Sequence, residues 1–168
     1  MYLTTISELN YEIMLKLDYD ATLIFCQVNH TIADICKNPQ FWHQKIPYDS
    51  HYTEIKHETK ESINALKDKR VYGMHIEKFP SIEFILPKRL LDLIEMHHLI
   101  FDTQKQYTDK MITIVYYDGW YVKYSANDDK DYNVFVEYEV NLKEVEYVLM
   151  NVYYYIFNNI DIEINYTD

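Results

Sequence analysis

The chain has 168 residues, of which 48% are apolar and 16% aromatic, with 18 tyrosines; this is ample material for a packed core and gives no reason to expect disorder. A formal net charge of −11 and a pI near 5.0 disfavour nucleic acid and anionic membranes as partners, because both affinities are built on Lys and Arg. Only two glycines are present, too few for a Gly-rich phosphate loop or dinucleotide fingerprint. No stretch approaches the roughly 18 apolar residues of a membrane span, and the N-terminus lacks a basic, apolar leader. The chain is therefore expected in the cytosol or nucleus, with Cys26 and Cys36 as reduced, buried, structural thiols.

Ser7 can cap a first helix running to about Leu17, on which Leu9, Ile13 and Leu17 recur on one face and Met14 widens the stripe. Asp20 can cap a second helix, Ala21 to Val28, with Leu23, Ile24 and Val28 apolar and Phe25 and Cys26 nearly opposite, so that burial on more than one face is expected. A third short helix covers about Thr31 to Cys36. Asn38-Pro39 then reads as a cap followed by proline at the first helical position, and Phe41, Trp42 and Ile46 face inward before Pro47 ends the element. Helices this short depend on mutual packing or on a partner.

The stretch Thr5 to Ile46 resembles an F-box, the helical module that attaches substrate adaptors to the Skp-type subunit of cullin–RING ubiquitin ligases. The similarity covers about a quarter of the chain, and the interval Leu17 to Trp42 matches the family spacing without a gap. Leu17 falls at the leucine ending the first helix, Leu23 at the leucine opening the second, Val28 at the family's valine, and Phe41-Trp42 at the closing apolar-Trp pair. The Leu-Pro that opens a typical F-box falls on Thr5-Ile6, and the aromatic expected four residues after Val28 is Ile32. The resemblance implies a Skp-binding surface of Ile6, Leu9, Ile13, Leu17 and Leu23, with Trp42 as closing anchor. Similar sequences with Val-Asn and Phe-Trp at these places occur in large DNA viruses. The enrichment in Ile, Asn, Lys, Tyr and Asp agrees with an A/T-rich genome.

Tyr52 to Lys69 carries a narrow stripe of Ile55, Thr59, Ile63 and Leu66 and reads as an amphipathic surface helix connecting two units. Ile82, Phe84 and Leu86 alternate as a short strand. Pro87 starts a helix to about Phe101, with Leu90, Leu91 and Ile94 on its inner side. Asp118-Gly119 suggests a two-residue type I′ hairpin over 112–125 that pairs Tyr117 with Trp120, Val115 with Val122 and Thr113 with Tyr124. Val134, Val136, Tyr138 and Val140 alternate with Phe135, Glu137 and Glu139 in a strand over 133–140 with one wet face. Asn141 and Glu144 form a capping box for a helix over 142–159, whose core side is Leu142, Val145, Leu149, Val152, Ile156 and Phe157; a final strand follows at 160–166.

The fold class expected is α+β: an F-box-like short-helix module at 1–48, a connecting helix at 49–70, and an α+β domain at 71–168 with a mainly antiparallel sheet. His51, His57, His97 and His98 lack zinc-site spacing, and the acidic loop Asn127 to Asp131 lacks the features of a calcium loop. No metal, cofactor or catalytic motif is implied. At least one tyrosine of each aromatic cluster is expected to face outward, which makes Trp120, Tyr121, Tyr154 and Tyr155 candidates for target binding. The function expected is a non-enzymatic adaptor that recruits a protein target to a Skp–cullin–RING ligase. The alternative is a viral structural or assembly protein that uses the helical module for docking or self-association.

Overall fold

A computed structural model of the chain describes residues 6–68, 71–72, 77–78, 81–86, 107–128 and 133–167. Its first elements are α1 (Ile6–Lys16), α2 (Tyr19–Phe25), α3 (His30–Cys36) and α4 (Pro39–Lys45), continued by a 3-10 turn at Ile46–Tyr48 and by α5 (Tyr52–Asp68). Each of the three seven-residue helices opens on a side-chain cap, which is what so short a helix needs. Asp18 accepts from Ala21 N at 2.7 Å, Asn29 from Ile32 N at 3.0 Å and Asn38 from Gln40 N at 3.0 Å. Asp18, and not Asp20, thus starts α2, which moves the helix two residues forward and turns Tyr19 into the core. Pro39 sits at the start of α4 as its fixed φ favours. Helix α4 ends at Lys45, ahead of Pro47 as expected, and a single 3-10 turn accommodates the proline.

The C-terminal part contains a short ribbon, β1 (Val71–Tyr72) with β2 (Glu77–Lys78), and the strands β3 (Ser81–Leu86), β4 (Tyr107–Tyr116), β5 (Trp120–Asp128), β6 (Asn133–Val140) and β7 (Glu163–Thr167), with α6 (Leu142–Phe157) before the last. The five long strands form one antiparallel sheet in the order β6-β5-β4-β3-β7. The architecture is a helical N-terminal module followed by an α+β part with an antiparallel sheet. The helix expected at 87–101 lies outside the described residues, as do His97 and His98.

The hairpin register differs by one residue from a two-residue turn. Tyr116 pairs with Trp120, Ile114 with Val122 and Ile112 with Tyr124, and the loop is Tyr117-Asp118-Gly119. Asp118 alone takes a left-handed φ, of 52°, and Tyr117 N donates to Gly119 O at 2.8 Å. Directly paired residues share a sheet face, so this register brings Ile112 and Ile114 to the same side as Trp120 and Val122. The Asp-Gly register would have put the two apolar sets on opposite sides; burial of one face decides against it.

Helix α6 is the centre of the molecule. Its capping box forms in full, with Glu144 N donating to Asn141 Oδ1 at 3.0 Å and Asn141 N to Glu144 Oε2 at 2.7 Å. It ends at Phe157, two residues before Asn159, because Asn159 adopts a left-handed φ of 61° and Ile160 N donates back to Tyr155 O at 3.0 Å, a Schellman stop with asparagine in the glycine place. Tyr153, Tyr154 and Tyr155 are all buried. Three successive residues span about 200° of a helix, so α6 is covered on more than one side, and the expected outward tyrosine does not exist here. Leu142, read as core, is instead exposed at the first turn.

Two layers cover α6. On one side Tyr153 packs on Phe84 of the sheet, with ring centroids 6.1 Å apart, and shares a 2.6 Å hydrogen bond with Ser62 of α5. On the other, Tyr19 of the N-terminal module meets Tyr154 at 5.9 Å, Tyr155 at 6.3 Å and Trp42 at 5.6 Å. The His43 ring lies tilted against Tyr147 at 4.1 Å and its Nδ1 lies 3.1 Å from Asn151 Nδ2, while Asn158 Nδ2 donates to Asp49 Oδ2 at 3.0 Å. Helix α5 buries Ile55, Thr59, Ile63 and Leu66, the stripe expected from its spacing. It packs on α6 and on β3 and β4, and so belongs to the core as well as joining the two parts.

The tyrosine hydroxyls differ in their partners. Tyr153 has Ser62, whereas the Tyr154 and Tyr155 hydroxyls are buried with no hydrogen-bond partner among the described residues. Tyr153→Phe is expected to cost about 1 kcal/mol in urea unfolding, while Tyr154→Phe and Tyr155→Phe leave stability unchanged or raise it. Burial, the largest cause in each case, lifts all three hydroxyls above the ordinary tyrosine value of 10.0. The unfolded chain then ionises first, so their contribution is intact below pH 10 and falls as pH rises above it. Denaturant midpoints followed from pH 9 upward should drop beyond pH 10, and less steeply in the Tyr154→Phe/Tyr155→Phe double variant.

Candidate functional site

Helix α1 is apolar on two sides. Its inner side is Met14 and Leu15, buried, with Tyr11 half-buried against Phe41 at 5.4 Å and donating to Gln44 Oε1 at 2.7 Å. At 100° per residue Ile6, Leu9 and Ile13 fall on the opposite side, and they are 81%, 54% and 43% exposed. The inner face is taken up by α3 and α4. The outer one is left without cover among the described residues. On the next helix Ile24 is 69% exposed and Val28, just beyond its end, 61%. Burial of α2 on several sides was expected, and these two residues overturn it: Tyr19, Thr22 and the half-buried Leu23 and Phe25 supply its packing instead.

Among the described residues the exposed large aliphatic side chains are Ile6, Leu9, Ile13, Ile24, Val28 and Leu142. All but the last lie in the first 28 positions. A run of exposed aliphatics on two neighbouring short helices is the feature that marks interaction sites on otherwise polar surfaces.

The remaining residues expected at the Skp-type surface are placed differently. Leu17 and Leu23 are half-buried, and Leu23 packs against the core. Trp42 is buried, with its indole N–H donating to Cys36 O at 2.7 Å and its ring 5.3 Å from Phe41. It fastens α3 to α4 and offers nothing to a partner.

The expected target-binding residues also separate. Tyr154 and Tyr155 are fully buried beneath Tyr19, and Trp120 is buried on the helix-covered face, with Lys67 Nζ of α5 lying 5.6 Å from its ring centroid. Tyr121 alone points to the other face of the sheet, where it is half-buried.

Two features of the module escaped the sequence pattern. Cys26 and Cys36 are joined as a disulfide and are half-buried, where reduced and buried thiols were expected. The turn after α2 folds α3 back so that the two Cα atoms lie 5.9 Å apart, within disulfide reach; a separation of ten along the chain does not reveal this. The second is Lys45, almost wholly buried, whose ammonium donates to the carbonyl of Met14 at 2.9 Å, of Leu15 at 3.3 Å and of Leu17. It thereby caps the C-terminus of α1 from α4, with a positive charge where the helix dipole favours one.

No group of three or more His, Cys, Asp or Glu is arranged to hold a metal ion among the described residues. No helix among them is long and apolar enough to cross a membrane. Compared with known protein families, with curated proteins and with solved structures, the chain has no match in any of the three.

Burial lowers the pKa of Lys45 from 10.5 to about 8, against the opposing pull of Asp49 and Asp18. Between pH 8 and 10.5 the unfolded chain holds a proton that the folded one has released, so this group makes the fold more stable as pH rises through that window. Lys45→Met leaves three carbonyls without their donor and is expected to cost about 1–3 kcal/mol at pH 7. The margin of the wild type over the variant should widen between pH 8 and 10 in paired denaturation curves.

Proposed function

We propose that the chain is a non-enzymatic, F-box-like adaptor, whose N-terminal helices dock on a Skp-type subunit of a cullin–RING ligase while the α+β part holds a protein target. The observation that carries this is the uncovered aliphatic face of α1, Ile6, Leu9 and Ile13, with Ile24 on α2 and Val28 just beyond it. An exposed row of that kind on a capped, internally braced helix suits helix-in-groove recognition, where anchors recur at i, i+3 and i+7. The brace is Lys45 beneath the end of α1, with Tyr11 on Phe41 along its length. The docking surface is accordingly smaller than the family pattern implies. Leu17 and Leu23 contribute at most an edge, and Trp42 acts from within as a fastener. Catalysis in this reading belongs to the partner ligase.

Purified Skp-type subunit should be retained by the wild-type chain and lost at least tenfold by Leu9→Asp/Ile13→Asp. Both side chains are exposed, so the double variant should keep its circular dichroism spectrum and unfolding midpoint. Retention that persists unchanged in the variant counts against the adaptor. Stable homo-oligomers in size exclusion that do not shift on mixing with the subunit point instead to a structural or assembly protein that associates through the same face.

A further inference from the structure

The sheet has a second face that the function so far leaves unused. Strand parity puts Ile82, Phe84, Ile112, Ile114, Trp120 and Val122 under the helices, where all are buried. The alternate residues turn away, and no helix among the described residues lies over them. On the central strand β4 these are Met111, Thr113 and Val115, with Ile85 of β3 paired to Met111 and Tyr121 of β5 paired to Val115. Ile85, Met111, Val115 and Tyr121 are half-buried, and Thr113, between Met111 and Val115, is buried. They make an apolar band along the middle of the sheet.

Carboxylates flank that band on both sides. On one side Glu83 pairs with Thr113 and Glu163 of the edge strand pairs with Ile85; on the other Glu139 pairs with Tyr121, and Glu137 with Lys123. The single described cation on this face, Lys123, is held by Glu137 at 2.9 Å. Four carboxylates against one lysine leave a net charge of −3. Glu139 and Tyr121 also lie together at the hairpin end, since a Cβ placed on Gly119 would meet Glu139 Oε1 at 3.7 Å and Tyr121 Cε2 at 3.8 Å.

We infer that this outward face docks a basic amphipathic helix of a partner protein. The dimensions fit such an occupant. The edge strands stand about 10 Å to either side of β4, and a helix with its side chains is about 10–12 Å across. A helix lying along β4 with its apolar stripe on Val115 and Met111 therefore carries its flanking Lys or Arg residues over Glu139 and Glu137 on one side and over Glu83 and Glu163 on the other. Met111 to Val115 spans about 14 Å of strand, or two to three helical turns, which sets a stripe of the i, i+3, i+4, i+7 kind. Nucleic acid, itself a polyanion, is repelled by the same carboxylates. In the adaptor reading this helix is the target's recognition element, but the binding itself needs no ligase subunit.

The test uses a fluorescein-labelled peptide of about 14 residues, with Leu at i, i+3, i+4 and i+7 and Lys elsewhere, and anisotropy titrations on the full chain. The striped peptide should bind at least tenfold more tightly than a scrambled peptide of the same composition and than a version with Glu in place of Lys. Glu137→Lys/Glu139→Lys should weaken it at least tenfold and the milder Glu139→Gln two- to threefold, with circular dichroism unchanged. Leu9→Asp/Ile13→Asp should leave it untouched, which separates this face from the one on α1. Equal binding of striped and scrambled peptides would reduce the effect to general attraction by an acidic protein and overturn the inference. So would insensitivity to both Glu variants, or loss of binding in the α1 variant.

Discussion

Tyr153, Tyr154 and Tyr155 occupy successive positions of one helix and all three are buried. That constraint organises the molecule. A helix buried over so wide an arc has to be covered by more than one layer, and here the layers are unlike: the sheet and α5 take Tyr153, and the N-terminal module takes Tyr154 and Tyr155. The short helices α2 to α4, which could not persist alone, gain a surface on which to fold. The apparent connector α5 becomes a core element for the same reason. Trp42, the closing anchor of the family resemblance, is spent on this seam with Tyr19 and Phe41.

What α6 and its neighbours consume defines what they leave. The inner side of α1 is used up by Met14, Leu15 and Tyr11, and Lys45 fixes its end, so that Ile6, Leu9 and Ile13 are held outward on a braced support. The sheet is likewise covered by helices on one face, while over the other, with an apolar band bordered by glutamates, no helix lies among the described residues. The two unused surfaces differ in chemistry, aliphatic on α1 and acidic-flanked on β4. Such a division suits a protein proposed to join two partners, and a charge of −11 disfavours nonspecific contact with nucleic acid or anionic lipid.

Much of the fold was legible in local chemistry. Asn38-Pro39, Asn141 with Glu144, the Ile55–Thr59–Ile63–Leu66 stripe and the alternation of Ile82, Phe84 and Leu86 each specify an element by caps or period, and each forms. The misses came where tertiary context outranks a local signal. Asp118-Gly119 favours a two-residue turn, yet the need to bury Ile112 and Ile114 with Trp120 and Val122 shifts the register; comparing the two apolar alternations across the turn could have shown this. Nothing local reveals that Cys26 meets Cys36, that Lys45 reaches across to α1, or that all three tyrosines of α6 are enclosed, because each depends on how separate elements pack. For the candidate site, Leu9 and Ile13 were readable from spacing and Ile6 only through the family resemblance; the same spacing set Leu17 beside them, which is half-buried, and the exposure of Ile24 and Val28 was not readable, since it follows from Tyr19 taking the inner place on α2.

If α6 is the shared core, the N-terminal module and the sheet should open together. Native-state amide hydrogen exchange on the full chain measures this directly. The slowest amides of α4, α6 and β4 are expected to exchange with one common opening free energy, equal to that of global unfolding. Protection of α4 amides lost through a separate opening several kcal/mol below that of β4 and α6 would contradict it, and would make the helical module an appendage rather than a layer of the core.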